Sequence, residues 1–515
     1  MLAKTFHINQ LTRRYPVVAR VMVLLLITTG SYGQFATEKD KIVASDRRAF
    51  SHFGYAVSMS DGYAIVGTFS NAYIFEEQGD GTWKEVIKLR SPEAEPGRFG
   101  RSLLIHGRYA FVGAATLDFE THTGSVVIDA GAVFVFYRDE SGLWVYSEKL
   151  VPSTPTASGF FGHTISASGD IVAIGSEGDS RNAGAVFLFA LNANGEWTMT
   201  QRVTASDRPG YFGKSVSVGG RNLLVGASAS RSDGTVYYFA KGSDNVWREV
   251  QKITAPAGSF SGFGRAIHQF NGSAVISNEG EKTAHIFEQD AAGQWQFADV
   301  IQTTGSSNDN LFGGSVSSSD NMVAIGAPWE DEAKRGAVYL FKRNDSGKWP
   351  LFEKVVASIR SPGDEFGHSI SLSNNKLLVG SYLDEKDEAG ENWLERSGSA
   401  YIFEIRTPRT DVQPPKPRPK PVEKCPPFIR NSVIPNVITP NGDNKNECFR
   451  IFNLYDRTTI FICDRYGNEV YRDEDYNNDW CGGTLPPGIY YWTMIQQKGK
   501  CSEQLKGWVH ILRSH

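Results

Sequence analysis

The sequence predicts an all-β protein: a seven-bladed β-propeller followed by a small Ig-like β-sandwich. Three observations carry this. A Phe-Gly pair recurs seven times, at Phe53-Gly54, Phe99-Gly100, Phe161-Gly162, Phe212-Gly213, Phe263-Gly264, Phe312-Gly313 and Phe366-Gly367. Between pairs lie short runs rich in Val, Ile, Phe and Tyr, often alternating apolar with polar, which is the pattern of strands. All five cysteines lie at or beyond Cys425, so the end of the chain is built on other rules. The 52 glycines and 12% aromatics among 515 residues agree with many strands and tight turns. A net charge of −4 gives no reason to expect a nucleic-acid partner.

Residues 1–33 read as a signal peptide. Arg13, Arg14 and Arg20 precede or flank the apolar run Val21 to Ile27, and Ser31 and Gly33 suit a cut between Gly33 and Gln34. The run is short for a membrane span. Removing it takes away four basic residues and no acid, so the mature charge moves from −4 to −8. The expectation is export, with no transmembrane anchor in the mature chain.

Residues 36–406 read as the propeller. Each unit runs from Phe-Gly through an alternating stretch to a second run ending in small residues, as in Val225-Gly226-Ala227. A third run follows, such as Gly336-Ala337-Val338-Tyr339-Leu340-Phe341, and then a fourth. Six fourth runs begin with a Trp: Trp83, Trp144, Trp197, Trp247, Trp295 and Trp349. A lone four-stranded meander cannot bury both faces, but repetition around an axis lets each sheet pack on the next. The seventh unit stops after its third run, Ser399 to Phe403. The stretch Lys41-Ile42-Val43-Ala44-Ser45 resembles Lys354-Val355-Val356-Ala357-Ser358, so the N-terminal strand is expected to complete the last blade and close the ring. Closure removes open sheet edges.

These repeats resemble the FG-GAP repeats of integrin α-subunit propellers and of many bacterial surface proteins. The resemblance covers roughly residues 38–405. Members of that family often carry an acidic calcium loop between the second and third strands, where alternating carboxylates surround a hard cation. Here no loop has the alternating Asp-x-Asp-x-Asp-Gly form. The nearest candidates are Asp331 in blade six and Asp384 and Asp387 in blade seven. Solvated acidic loops are the plainer reading of the same residues, and no other cofactor is implied.

Blade five departs from the pattern, with Val275-Ile276-Ser277-Asn278 where others have Gly-Ala or Gly-Ser. It reads as a degenerate structural blade. The longest insertions, 115–130 and 382–398, lie in blades two and seven, and long loops on a rigid scaffold are where binding usually sits. Phe119, His122, Trp329 and Trp393 are the loop residues suited to touching a glycan or protein, or to packing on their own loops. His163 and His368 both follow Phe-Gly, which points to a structural repeat position. No His-Glu-x-x-His, Gly-x-Ser-x-Gly or phosphate-binding loop occurs, so no enzyme is expected.

Residues 407–427 hold eight prolines alternating with Lys416, Arg418, Lys420 and Lys424, a semi-rigid linker. Residues 428–515 form the last module. Asn436-Val437-Ile438-Thr439-Pro440-Asn441-Gly442-Asp443, Asp464-Arg465-Tyr466-Gly467-Asn468-Glu469-Val470-Tyr471, Leu485-Pro486-Pro487-Gly488-Ile489-Tyr490-Tyr491 and Lys506-Gly507-Trp508-Val509-His510-Ile511-Leu512-Arg513 resemble, in order, the gliding-motility-associated C-terminal domain. That family is the type B sorting signal of the type IX secretion system of Bacteroidetes. The resemblance implies engagement of that machinery and a secreted, extracellular or outer-surface location. Lys445 and Cys481 depart from the family's usual residues. In an exported small domain the cysteines are expected to form disulfides. Cys448, Cys463, Cys481 and Cys501 allow three pairings, and Cys425 is left over or replaces one of them.

Together these readings predict a non-enzymatic binding or adhesion protein that presents propeller loops to a protein or glycan. The alternative is a carbohydrate-active enzyme or lectin-like accessory with a loop-built site. A purely structural surface component is a third.

Overall fold

The computed structural model describes residues 35–228, 234–256, 262–303, 311–406, 434–443, 445–451, 457–465, 468–498 and 501–513. The signal peptide with its Gly33–Gln34 cut, the proline-rich linker and Cys425 lie outside the described residues, as does the Cys501 side chain. The chain divides into two compact units, Met1–Pro408 and Arg409–His515.

The first unit is a ring of seven four-stranded antiparallel sheets. Blade one illustrates the order: Val57–Ser60, Tyr63–Gly67, Asn71–Glu77 and Trp83–Arg90, each strand paired with the next. The first strands line the axis, each packing on the first strand of the following blade, and the seventh packs on the first. Blade two carries its long insertion as a small extra hairpin, Phe119–Glu120 with Val126–Val127. Blade five has its full four strands, so its odd sequence does not remove it from the ring.

Closure uses the N-terminal strand. Ala36–Ile42 pairs antiparallel with Ser399–Ile405 and becomes the fourth strand of blade seven. Side chains repeat the same stitch between blades. A fourth-strand residue accepts the backbone N–H that opens the next fourth strand: Asp40 from Trp83, Glu148 from Trp197, Gln201 from Trp247, Gln251 from Trp295, Asp299 from Trp349 and Glu353 from Ala36. The last of these ties blade six to the clasp strand.

The axial edge is stitched too. An unpaired strand edge exposes N–H groups that need partners. Hydroxyls of Ser58, Ser166, Ser217, Ser317 and Ser371 accept N–H groups of Ile105, Val218, Gln269, Leu372 and Met59 in the following blade. His268 holds this place in blade five, and its Nδ1 accepts the Ser318 N–H at 3.2 Å. This explains why the first strands alternate apolar residues with serine.

The Phe of each Phe-Gly pair is buried against its own third strand and the preceding blade. Phe53 meets Tyr73 and Phe75 edge-on and shares a cluster with Leu378, Ala400 and Ile402 of blade seven. Burying such a ring contributes roughly 1.5–3 kcal/mol. Gly380 shows why the small residue is needed. A Cβ there would sit 2.0 Å from the Gly54 carbonyl oxygen of the next blade.

In the second unit, Val437–Ile438, Cys501–Ile511, Gly488–Lys498, Arg457–Cys463 and Glu469–Asp473 form one five-stranded sheet in that spatial order. Ile460, Ile462, Trp492, Met494 and Val509 face a layer supplied, among the described residues, by non-strand segments bearing Phe449, Ile451, Tyr476 and Trp480. Cys448 and Cys481 are joined by a disulfide, and Cys463 is free.

Candidate functional site at the Phe-Gly end of the ring

Every blade begins with the same four-residue turn. The N–H of the residue after Phe-Gly donates to the C=O of the residue before it: Tyr55 to His52, Arg101 to Arg98, His163 to Phe160, Lys214 to Tyr211, Arg265 to Gly262, Gly314 to Leu311 and His368 to Glu365. The residue before Phe-Gly has positive φ in all seven blades, for example Arg98 at 60° and Phe160 at 54°. Non-glycine residues pay about 1 kcal/mol or more for this conformation. The turn is thus constant, while the side chains flanking Phe-Gly vary. The cationic and aromatic ones gather around one mouth of the axial channel. Below the mouth, a cavity of about 670 Å³ runs along blades three to five, lined by His163, Lys214, Arg265, His268 and the axial serines.

The mouth is rich in cations and rings. The Arg101 guanidinium lies over the rings of Tyr55 (4.6 Å) and Phe69 (4.9 Å) and donates to the Tyr55 hydroxyl. His368 stacks near Tyr55 and Tyr382, and His52 near Phe69 and Tyr382. Lys214 pairs with Glu177 at 2.8 Å, and Arg265 with Glu279 at 3.4 Å. His163 Nε2 is 3.6 Å from Glu177. The His163 side chain is 39% exposed, and the packing around it in the channel lowers its pKa; Glu177 opposes this, and Lys214, Arg101 and Arg265 reinforce it. His368 is held at about 4, by burial and then by Arg101 and Arg265. Both histidines do occupy equivalent repeat positions, and that position faces the mouth.

The acidic loops at the same end are used differently. Asp384 is fully buried and accepts from Ser399 Oγ (2.6 Å), the Tyr401 hydroxyl (2.7 Å) and the Lys386 N–H (2.9 Å), with Lys41 Nζ at 2.9 Å. The equivalent Glu330 of blade six holds Tyr339 and Lys354, each at 2.7 Å. Asp179 of blade three holds Arg202 at 2.9 Å. Blades one and four build the same Tyr–carboxylate–Lys group with Asp46 and Asp207, which lie before the blade. Asp331 is paired with Arg335 and Arg360, and Asp387 accepts from the Glu391 N–H and the Asn392 amide. Protein cations and N–H or O–H donors already match these carboxylates, an arrangement that does not suit a calcium ion. Among the described residues no three His, Cys, Asp or Glu gather as metal ligands.

The four aromatic or histidine loop candidates are scattered. Trp329 donates to Glu365 at 2.9 Å and lies under Lys334, so it packs near its own loop. Trp393 is 63% exposed, with its Nε1 bonded to Glu385. Phe119 sits half-buried in the blade-two hairpin, and His122 is exposed at its tip. The residues flanking Phe-Gly were the missed set. Their signal was variable chemistry on both sides of an unvarying pair.

Family models match on the same lines. FG-GAP repeats match residues 36–80, 144–189, 295–341 and 349–403. Each matched stretch runs from one blade's fourth strand through the third strand of the next, one strand out of step with the blades. The type IX secretion signal domain matches residues 432–511. No curated protein matches the chain. Among solved structures, a chain of a mitotic checkpoint complex is similar at 10% identity and a TM-score of 0.46, covering 74% of this chain and 98% of that one. A putative 6-phosphogluconolactonase from Bacteroides uniformis is similar at 12% identity and a TM-score of 0.44, covering 63% and 90%. No helix among the described residues is long and apolar enough to cross a membrane. The chain carries FG-GAP repeats in its propeller and, at its C-terminal end, a type IX secretion signal domain, which marks it for secretion or the outer cell surface.

Proposed function

We propose that the protein is a non-enzymatic binding or adhesion protein, exported through its C-terminal domain, whose propeller engages a protein or glycan outside the cell. The observation that carries this is the Phe-Gly mouth. Seven identical turns hold seven different pairs of flanking residues around one opening. A scaffold that is constant in backbone and variable in exposed chemistry suits recognition. The side chains at the mouth are held in place by their neighbours, Arg101 by Tyr55 and Phe69 and Lys214 by Glu177, which suits a fixed recognition surface. In the C-terminal unit, Tyr491 and Trp508 are paired across neighbouring strands and half exposed, which suits a module recognised from outside.

Two experiments test the reading. The exported full-length chain is screened on an array of glycans and surface proteins, and on polysaccharides for hydrolysis. Selective binding without turnover is expected, and turnover would replace the proposal with the carbohydrate-active alternative. Deleting residues 428–515 is expected to retain the protein in the cell envelope. Undiminished release of the truncated chain would overturn the export claim.

A further inference from the structure

We propose that a pocket in this mouth, between blades one, two and three, takes an acidic sugar unit of a polysaccharide, held by Arg98 and Arg101. This deepens the binding reading above and rests on it.

The pocket has a volume of about 260 Å³ and is lined by Tyr55, Arg98, Arg101, Thr116, Phe160, His163 and Glu177. Arg98 and Arg101 are the two ends of one Phe-Gly turn, held together by the Arg101 N–H to Arg98 C=O bond at 3.2 Å. Neither guanidinium has a carboxylate partner among the described residues. The other mouth cations do: Lys214 has Glu177 and Arg265 has Glu279. Glu365, at the matching place in blade seven, is bonded to Trp329. Two guanidinium groups thus face one carboxylate, Glu177, which Lys214 already engages, and the partly enclosed pocket keeps a net positive charge. An anion gains most where a guanidinium is pre-oriented and weakly hydrated. Arg101 is pre-oriented by Tyr55 and Phe69.

The shape favours a sugar over an acidic peptide. The volume is below that of a pocket for a drug-sized ligand, so it suits one unit of a polymer. Phe160 supplies a ring beside the arginines, and the Thr116 hydroxyl supplies a small hydrogen-bonding group. A sugar ring uses both surfaces, with its carboxylate or sulfate on the arginines. An extended acidic side chain uses only the charge.

The test is calorimetry with the full-length exported chain and four probes: a galacturonate hexamer, a sulfated oligosaccharide, neutral laminarihexaose and a polyglutamate peptide. One or both acidic sugars are expected to bind at least tenfold tighter than the neutral sugar and the peptide. R98Q/R101Q should lose at least tenfold, while R248Q, altered at an exposed pair elsewhere, should bind as wild type. R98Q alone, at an exposed residue, should lose about threefold or more, which keeps the test decisive should the double variant not fold. Equal binding by wild type and R98Q, or polyglutamate binding as tightly as the sugars, would overturn the proposal. A neutral glycan or a protein bound in place of acidic sugars would sink this inference while leaving the general binding reading intact.

Discussion

Lys41 Nζ lies 2.9 Å from Asp384 Oδ2, with both side chains almost wholly withdrawn from water. One residue is on the clasp strand and the other is in the loop of the blade that strand completes. Tyr401 adds its hydroxyl to the same carboxylate, and its ring lies beneath the ammonium at 5.3 Å. Breaking one side of such a pair leaves a buried charge without compensation, which costs about 3–5 kcal/mol. Asp384→Ala is therefore expected to destabilise the propeller by about that amount in urea denaturation, and Lys41→Met by a similar amount. The double variant should recover part of the loss, because no orphan charge remains. Additive losses would show that the pair is not the unit of closure.

The seven-fold frame was legible because its residues answer to steric rules that recur. Phe fills a gap, Gly permits contact, and Trp opens a fourth strand. Even the clasp strand could be read, from the likeness of Lys41–Ser45 to Lys354–Ser358. What that likeness did not reveal is that both lysines serve a carboxylate three residues beyond the second strand, Asp384 and Glu330. The acids drew attention as calcium candidates because the chain shows them beside one another. Their cations arrive from a strand far along the sequence. The mouth was hidden for a related reason. His163 and His368 were visible as equivalent positions, but only the turn brings the residue before Phe-Gly beside the one after it.

The glycine seams set a second expectation. At Gly380 an added Cβ would meet the Gly54 carbonyl oxygen at 2.0 Å, and Gly54 itself has φ of 91°. Ser369 Oγ, at 2.3 Å, could turn aside, but the Gly54 carbonyl is backbone and cannot. Gly380→Ala is expected to cost about 1–3 kcal/mol or more by forcing the seam between blades seven and one apart. Gly79→Ala, with nothing within 4 Å, should change stability by less than about 0.5 kcal/mol. Equal melting temperatures for the two variants would refute the close-approach argument.

His268 gives stability a pH dependence of known sign. Burial holds its ring at about 4 in the native state, and Nδ1 must stay unprotonated to accept the Ser318 N–H. In the unfolded chain the ring titrates near the ordinary value of about 6.5. As pH falls from 6.5 to 4 the unfolded state takes up the proton and the native state does not, so stability is lost across that window. His163 and His368 act in the same direction. Asp364 opposes them: burial first, and then the Asp384 charge, raise it to about 7, so the native state binds its proton first as pH falls. His268→Ser should keep the cap, as serine does in five other blades, and remove one titrating group. It is expected to be near wild type at pH 7 and up to about 3 kcal/mol less sensitive to acid, measured by denaturation at pH 7 and 4.5. An unchanged pH profile would remove His268 from the account.

The disulfide of the second unit bears on stability there. Cys448 and Cys481 are 33 residues apart, and the bond sits beside the Phe449 N–H to Trp480 C=O contact at 2.8 Å. That contact brings the covering layer together over the sheet, where Phe449 packs against both Trp480 and Trp492. Closing a loop of this length removes roughly 4 kcal/mol of unfolded-state freedom in the chain-entropy model. A sheet with a loop-built cover has a small core to set against that loss. Replacing both cysteines with serine is expected to lower the stability of the C-terminal unit by about 2–4 kcal/mol. The propeller transition should stay where it was, because the cysteines belong to the other compact unit. Calorimetry of the full-length chain with and without reductant reads both transitions at once. A propeller transition that moves with the disulfide would show that the two units do not unfold independently.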